Sequence, residues 1–440
     1  MRLIVVLGFV LASCLAQKPQ PCKSPPLLSG ALTVSTQNEE MWVYAKFLYD
    51  ALGQRLRLFE VASSENKTFT SDILVLYREH VMYQIFDNNR TCTVSPVEAD
   101  FVPFGIPDGA FLLGQVVLGS STGPGQGLLV NSWMGAVPGV GGKYMSTVTE
   151  FGCIPVSLAV QTKEFGWVLF SYFNNVIGIS DPGLLNPPSF CPGSDAAADQ
   201  ETVNLLSLLH KNIKGAPETD ESNPLSRMRL FVLLVCLTAG CLAGRPQQCT
   251  SPPLMSGALS VSTASEKLLA FAKYTYDALG QRIRLREFGF YNNKTFHLDM
   301  LLLYKQGVVY KINPKNRTCC KKTLCTEFHP LEVPKNSTLL GQAVLGSSSG
   351  PGQGLLVNTW AGEMQLKRGK AKYMSTVTEF GCIPVSSLFH TERTGWMITS
   401  FYNNVIGITD PQLLIPPSFC QDAQLEEEEE EEPVNFYNLF

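Results

Sequence analysis

Two short segments of the sequence have the spacing of a serine nucleophile. Gly119–Gly123 and Gly346–Gly350 both fit the pattern G-x-S-x-G, in which a sharp turn exposes a serine hydroxyl for attack on a carbonyl carbon. That chemistry requires a strand–turn–helix setting and a histidine that acts as general base. Here Pro-Gly follows each motif, and proline disfavours the helix. The pattern therefore predicts a loop at both sites, and a secreted serine hydrolase is only an alternative interpretation.

The five histidines argue against hydrolysis in either half of the chain. The two halves align with each other, and none of the histidines occupies a shared position. His80 aligns with Gly307 and His297 aligns with Thr70, while His210 lies between the halves. One general base therefore cannot serve both serine motifs. We predict no catalytic residues and a protein that is not an enzyme.

Five acidic positions recur in both halves and are candidate calcium ligands. Calcium takes about 6–8 oxygen ligands, so these side chains would have to converge from different strands. The ordinary interpretation of each is a surface or turn carboxylate, since aspartate before proline is typical of turns. We therefore expect calcium as a cofactor but assign no metal ligand. The recurring pairs are Asp50/Asp277, Glu60/Glu287, Asp72/Asp299, Glu150/Glu379 and Asp181/Asp410.

Cysteine usage indicates an oxidising compartment. Of thirteen cysteines, three lie in the two export-like segments described below, and four positions are shared between the halves. An even set behind an export signal predicts disulfides, but spacing alone leaves three pairings open in each half. The second half adds Cys320 and Cys325, for which a third local disulfide is a better interpretation than a zinc site because C-x-x-C is absent. The shared cysteines are Cys22, Cys92, Cys153 and Cys191 in the first half and Cys249, Cys319, Cys382 and Cys420 in the second.

Five N-x-[ST] sequons predict N-glycosylation of an exported protein. Two of them recur at matching positions in the two halves, which predicts surface loops there. The sequons begin at Asn66, Asn89, Asn293, Asn316 and Asn336.

The start and the middle of the chain carry the same export-like segment. Residues 1–17 combine Arg2, an apolar run and a small-residue stretch, which is the layout of a secretory signal peptide, and residues 228–244 repeat it. Each apolar run is shorter than the about 20 residues of a membrane span. A buried helix or strand, or a short anchor, is the alternative for the internal segment.

Long colinear similarity follows each export-like segment, with a two-residue insertion between Trp360 and Tyr373. We therefore predict two whole domains in tandem. The chain is either a genuine fusion, which signal peptidase would cut near Gly244, or two neighbouring genes joined, and we favour joined genes.

We predict six regions along the chain. A signal peptide covers residues 1–17, the first domain 18–191, a linker or tail 192–227, the internal signal-like segment 228–244, the second domain 245–420 and an acidic disordered tail 421–440. The tail contains seven consecutive glutamates, which repel one another. The net charge is −4 and no basic patch is present, so nucleic acid is not an expected partner.

Strand patterns dominate both domains. Gln54–Phe59 begins with strict polar–apolar alternation, and Asp72–Tyr77 and Val81–Phe86 form a predicted hairpin. Turn signals such as Gly-Pro-Gly and Asp-Pro recur throughout. We therefore predict a mainly β fold with few helices, either one curved antiparallel sheet or two stacked sheets.

These residues together resemble the ependymin family of secreted glycoproteins. The resemblance covers nearly all of both halves. It rests on Tyr-Asp-Ala-Leu-Gly-Gln-Arg, Asn-Arg-Thr-Cys, Glu-Phe-Gly-Cys-Ile-Pro-Val, the segment Ile-Gly-Ile-Ser-Asp-Pro and Pro-Pro-Ser-Phe-Cys. The chain departs from the family by being tandem and by adding Cys320 and Cys325.

The resemblance implies a fold like that of bacterial lipoprotein carriers, with two antiparallel sheets around a deep apolar pocket. It also implies homodimers or pairing of the two copies, calcium association, a role in matrix or cell adhesion, and for some relatives lipid binding and a lysosomal location. The disulfides that it implies are Cys22–Cys153, Cys92–Cys191, Cys249–Cys382 and Cys319–Cys420. The extra cysteines leave open whether Cys319 or Cys320 meets Cys420.

Two classes of function follow. The first is a secreted, extracellular binding protein with an apolar, lipid-like ligand, surface calcium and a role in cell–matrix adhesion. The second is a structural matrix glycoprotein whose interior is filled by its own side chains.

Overall fold

The computed structural model describes residues 18–36, 42–64, 67–97, 99–137, 142–163, 165–197, 246–263, 268–292, 294–324, 327–366, 369–391, 395–421 and 423–426. Both signal-like segments and most of the linker and acidic tail lie outside these residues, so those predictions stay predictions. Within the described residues, no helix is long and apolar enough to cross a membrane.

The described part of the first half is a single antiparallel run of eleven strands. In space the strands follow the order β6-β5-β4-β3-β2-β1-β11-β10-β9-β8-β7. Neighbours in this order are consecutive strands of the sequence, except that β1 pairs with β11. The strands are β1 Leu27–Thr36, β2 Trp42–Asp50, β3 Arg55–Ser64, β4 Lys67–Leu76, β5 Val81–Phe86, β6 Thr91–Pro96, β7 Phe111–Gly119, β8 Gly127–Ala136, β9 Lys143–Thr149, β10 Pro155–Thr162 and β11 Gly166–Ile177.

The second half repeats this topology, with β12 paired to β22 as β1 is paired to β11. The predicted mainly β, antiparallel fold is confirmed, and the described helices are short 3-10 turns such as Pro182–Leu185 and Pro411–Leu414. The strands are β12 Leu254–Thr263, β13 Leu268–Asp277, β14 Arg282–Tyr291, β15 Lys294–Leu303, β16 Val308–Asn313, β17 Thr318–Thr323, β18 Thr338–Gly346, β19 Gly354–Leu366, β20 Gly369–Thr378, β21 Pro384–Thr391, β22 Gly395–Ile406 and β23 Leu425–Glu426.

Alternation along the strands builds one apolar interior in each half. In the second half, every other side chain of β12 to β15 points inward and packs against Met397 and Phe401 of β22. Successive residues of a strand face opposite sides of a sheet, so the inward set is fixed once the register is fixed. Tyr276 is 1% exposed, and its hydroxyl accepts a hydrogen bond from the Leu331 N–H at 2.9 Å. The hydroxyl therefore ties the segment after β17 to the sheet.

The two halves contact each other through reciprocal bonds. The Asn175 side-chain amide donates to the Gly346 carbonyl at 2.9 Å, and the matching Asn404 amide donates to the Gly119 carbonyl at 2.9 Å. Between them lies a mixed apolar cluster, to which each half contributes three buried side chains: Leu128, Val130, Val156, Leu355, Val357 and Val385. The same surface is thus used by both halves, as in a two-fold interface.

Two details differ from the predicted boundaries. Ser194–Ala197, expected in a solvated linker, forms a 3-10 turn whose Ala197 is buried against the first domain. Leu425–Glu426, expected in a disordered tail, forms the short strand β23, which pairs with β17 in parallel. Strand pairing overrides the local polar composition in the second case.

Candidate functional site

The interior of the second half contains a small apolar cavity. Its volume is about 10 Å³, room for roughly one water molecule, whereas typical small-molecule sites have about 300–1,000 Å³. An apolar chain of any length would therefore enter only if lining side chains moved. The lining residues are Leu259, Tyr274, Tyr276, Ile283, Leu285, Leu331 and Phe401.

One charged residue occupies the inward face beside this cavity. Along β14 the sequence Arg-Ile-Arg-Leu-Arg-Glu alternates, so Ile283 and Leu285 point inward and Glu287 follows them on the same face. Its neighbours across the strand pairs are Ala272 on β13 and Leu298 on β15. A carboxyl group therefore stands where the pattern calls for an apolar side chain.

The carboxyl group of Glu287 is buried with one oxygen unsatisfied. The residue is 5% exposed, and its Oε1 atom has no hydrogen-bond partner. Burial raises the pKa of Glu287 from its usual 4.5 to about 7. The sequence alone could have singled out Glu287, because the same alternation places Glu60 at the matching position of the first half. The side chain of Glu60 lies outside the described residues.

The other recurring carboxylates are engaged by the protein itself. The Arg284 guanidinium donates to both oxygens of Asp299 at 2.8 Å and to the Leu413 carbonyl at 3.0 Å. Asp277 accepts from Arg282 at 2.6 Å and from the Gly280 N–H at 2.7 Å. The first half has the same bonds, at Asp72 with Arg57 and at Asp50 with Arg55 and Gly53.

The remaining pairs are also engaged. Asp181 and Asp410 accept from the backbone N–H two residues on, at 2.9 and 3.0 Å, and so cap the short 3-10 helices as turn residues. Glu150 accepts from the side chains of Gln115 and Asn131, and Glu379 accepts from their counterparts Gln342 and Asn358. The arginine and amide side chains that donate to these carboxylates were not predicted from the sequence.

The recurring acids whose side chains are described do not converge on a metal site. Within the described ranges, no group of three or more His, Cys, Asp or Glu side chains is placed to hold a metal ion. Calcium association stays a prediction, and the glutamates of the tail lie largely outside these ranges.

Within the described residues, four disulfides have the pairing that the resemblance implies. The Cα atoms are 6.0 Å apart in Cys22–Cys153, 5.0 Å in Cys92–Cys191, 5.9 Å in Cys249–Cys382 and 5.2 Å in Cys319–Cys420, all within the usual range for a disulfide. Cys319 rather than Cys320 therefore meets Cys420. Cys325 lies outside the described residues, so the third disulfide stays a prediction.

Three of the five sequon asparagines are described, and all three are exposed at turns: Asn89, Asn316 and Asn336. Asn66 and Asn293 lie outside the described residues. Glycosylation at all five stays a prediction.

The two serine motifs lie at the contact between the halves. The first serine of each motif, Ser120 or Ser347, is buried and pairs with the other half in an isolated bridge, to Asn404 or Asn175. The serines at the nucleophile position, Ser121 and Ser348, are exposed. Thr122 Oγ1 accepts from the Ile406 N–H at 3.0 Å. These contacts explain the recurring Gly-Ser segments as parts of an interface.

Comparison with known proteins identifies the class. The ependymin family model matches residues 65–191 and 292–420, which together exceed half of the chain. The chain therefore belongs to the ependymin family.

Particular relatives each match about one half of the chain. Ependymin-2 of Carassius auratus is 33% identical over 212 residues, covering 48% of this chain and 96% of that protein. Ependymin-1 of Oncorhynchus mykiss is 35% identical, covering 47% and 93%. Mammalian ependymin-related protein 1 of Mus musculus is 33% identical, covering 46% and 88%.

Among solved structures, an uncharacterized conserved protein from Thermus thermophilus aligns with a TM-score of 0.25 at 9% identity, covering 42% of this chain and 95% of that one.

Proposed function

We propose that this chain is a secreted, non-catalytic glycoprotein that binds an apolar, lipid-like ligand inside its β domain and acts in cell–matrix adhesion. The observation that carries the proposal is the apolar lining of the interior between β12, β13, β14 and β22, which would have to open to admit a chain. Apolar surface removed from water contributes about 25 cal/mol per Å², which favours an apolar chain as the occupant.

Native mass spectrometry of the secreted protein, before and after solvent extraction, tests this function. We expect a copurifying apolar molecule that extraction removes, with a loss of thermal stability because a bound ligand stabilises the folded state. Clean protein whose stability does not change on extraction would contradict ligand binding. The mature N-termini in the same sample, expected near Gln17 and near Gly244, test export and processing.

A structural matrix glycoprotein is the second candidate. The small volume of the cavity favours it, because side chains already fill most of the interior. The same experiment separates the two candidates, since this function requires no copurifying molecule.

Calcium association and pairing of the copies complete the proposal. A run of glutamates attracts calcium by its charge, whereas high affinity requires about six to eight oxygen ligands in a defined arrangement. Deleting residues 427–440 should therefore remove part of the calcium uptake measured by isothermal titration. The reciprocal bonds of Asn175 and Asn404 support pairing of the two copies within one chain, with a homodimer as the alternative.

A further inference from the structure

The recurring acids of the second half divide into two groups. Asp277, Asp299, Glu379 and Asp410 accept hydrogen bonds from arginines, amides or backbone N–H groups. Glu287 is 5% exposed, and its Oε1 atom accepts none. A buried carboxyl oxygen that is left unsatisfied costs free energy and therefore needs an explanation, and a ligand that donates to it is one.

Among the described residues, the strands beside Glu287 supply no buried positive charge. The buried and half-buried inward positions of β13 and β15 carry no Lys, Arg or His, and Lys294, which shares their alternation at the start of β15, is exposed. Their titratable members are tyrosines, and burial raises the pKa of both Tyr274 and Tyr276.

The rest of the wall is apolar apart from Thr399, which is buried on β22 between Met397 and Phe401. Inward-facing Leu259 and Val261 of β12 lie there, together with Met397 and Phe401 of β22. The nearby charged groups Lys273, Arg286 and Asp299 lie at the alternate, outward positions of their strands.

We propose that Glu287 is the polar anchor of the interior site, and that the site takes an amphiphile with one apolar chain and a protonated amine at its end. The proposal rests on the ligand-binding function above. The chain would lie among Leu285, Tyr274 and their apolar neighbours, one step along the sheet from the carboxyl. The ammonium group would supply both the charge and the hydrogen-bond donors that the carboxylate lacks.

Head-group chemistry then decides affinity. An ammonium forms a charge-assisted bond with the carboxylate, whereas an alcohol offers only a neutral hydrogen bond. A carboxylate head group would meet Glu287 with like charge in a medium of low dielectric constant, where repulsion is strong. The site should therefore prefer an amine over an alcohol, and an alcohol over a fatty acid.

The test uses decylamine, decanol and decanoic acid, which share one chain and differ in head group. The full chain carries Glu60→Gln as a background, so that the matching position of the first half is the same in every sample. Binding is measured by isothermal titration at pH 5 and pH 8, with and without Glu287→Gln. Glu363→Gln, an exposed glutamate on β19, is the matched control.

We expect decylamine to bind at least tenfold more tightly than decanoic acid at pH 8, and to lose at least tenfold on Glu287→Gln or on lowering the pH to 5. Decanol should bind the Glu287→Gln protein within about threefold of its parent, which also shows that the variant is folded. Equal decylamine binding with and without Glu287, while decanol binds, would overturn the anchor and leave the proposed function intact. Failure of all three probes would overturn both.

Discussion

A carboxyl group in an apolar interior opposes folding whenever it is ionised. Glu287 stands between Ala272 and Leu298, where an apolar side chain would pack without this cost. Local rules are commonly broken at functional sites, where stability is lost in exchange for binding. Glu287 therefore favours ligand binding over a structural role more strongly than the cavity does, because a core filled by its own side chains gains nothing from a buried carboxyl group.

The pH dependence of stability follows from this carboxyl. Its pKa is about 7 in the folded protein and near 4.5 when unfolded, so between these values the folded state holds the extra proton. Stability then falls as the pH rises from about 4.5 through about 7. Glu287→Gln should remove this loss and raise the free energy of unfolding at pH 8 by about 3 kcal/mol, with little change at pH 4. Thermal melts across this pH range check it, and a Glu363→Gln protein should behave as wild type.

The two halves differ in whether a buried asparagine oxygen has a hydrogen-bond donor. The Tyr274 hydroxyl donates to Asn404 Oδ1 at 2.6 Å, whereas Phe47 occupies the matching position of the first half and Asn175 Oδ1 has no partner. Tyr274→Phe should destabilise the second half by about 1–3 kcal/mol, because it leaves a buried acceptor unpaired. Phe47→Tyr is the reverse experiment and should stabilise the first half. Urea denaturation followed by hydrogen exchange assigns each change in stability to its half. A Tyr274→Phe protein with unchanged stability would contradict the hydrogen bond.

The strands were predictable because their signal is local. Alternation along residues 54–59 and the hairpin of residues 72–86 needed only a period of two, and β3, β4 and β5 follow it. The contact of β7 with β22 and of β18 with β11 was not predictable, since it joins segments far apart in sequence. For the same reason the acids were recognised as recurring, while the arginines that bind them were missed.

Those arginines connect the sheet to the chain that follows it. Arg284 bridges Asp299 on β15 to the Leu413 carbonyl of the short 3-10 helix, and Asp299 is only 13% exposed. Removing one partner of a buried ion pair costs about 3–5 kcal/mol, because the other charge remains unpaired. Arg284→Met should therefore destabilise the second half and speed hydrogen exchange in residues 411–415.

Arg286 offers the matched control for this change, since it lies on the same strand and is exposed. Arg286→Met should shift stability by less than about 0.5 kcal/mol. Equal effects of the two substitutions would show that the bridge from β14 to the 3-10 helix is not what stabilises this end of the domain.

Within the whole chain, each half supplies the other with the same set of bonds. Val344 N–H donates to Asn174 Oδ1 at 2.7 Å, and Val117 N–H donates to Asn403 Oδ1 at 2.8 Å. A self-complementary surface closes on itself, so a chain that uses it internally has no free copy to offer a second chain. We expect the full chain to be monomeric in solution, with its halves paired.

Cutting the chain between the halves tests this pairing. With a protease site engineered at residues 211–216, the cleaved halves should elute together in size-exclusion chromatography, because the apolar cluster and the reciprocal bonds do not depend on the linker. Asn174→Gly with Asn403→Gly removes both acceptors and should weaken the association of the cleaved halves measurably. Glycine is chosen because φ is +54° at both positions, where it adds no backbone strain. His80→Gly, also at φ +54° but exposed on the β4–β5 turn, is the control for the backbone change. Cleaved halves that separate at micromolar concentration without any substitution would show that only the covalent link holds them together.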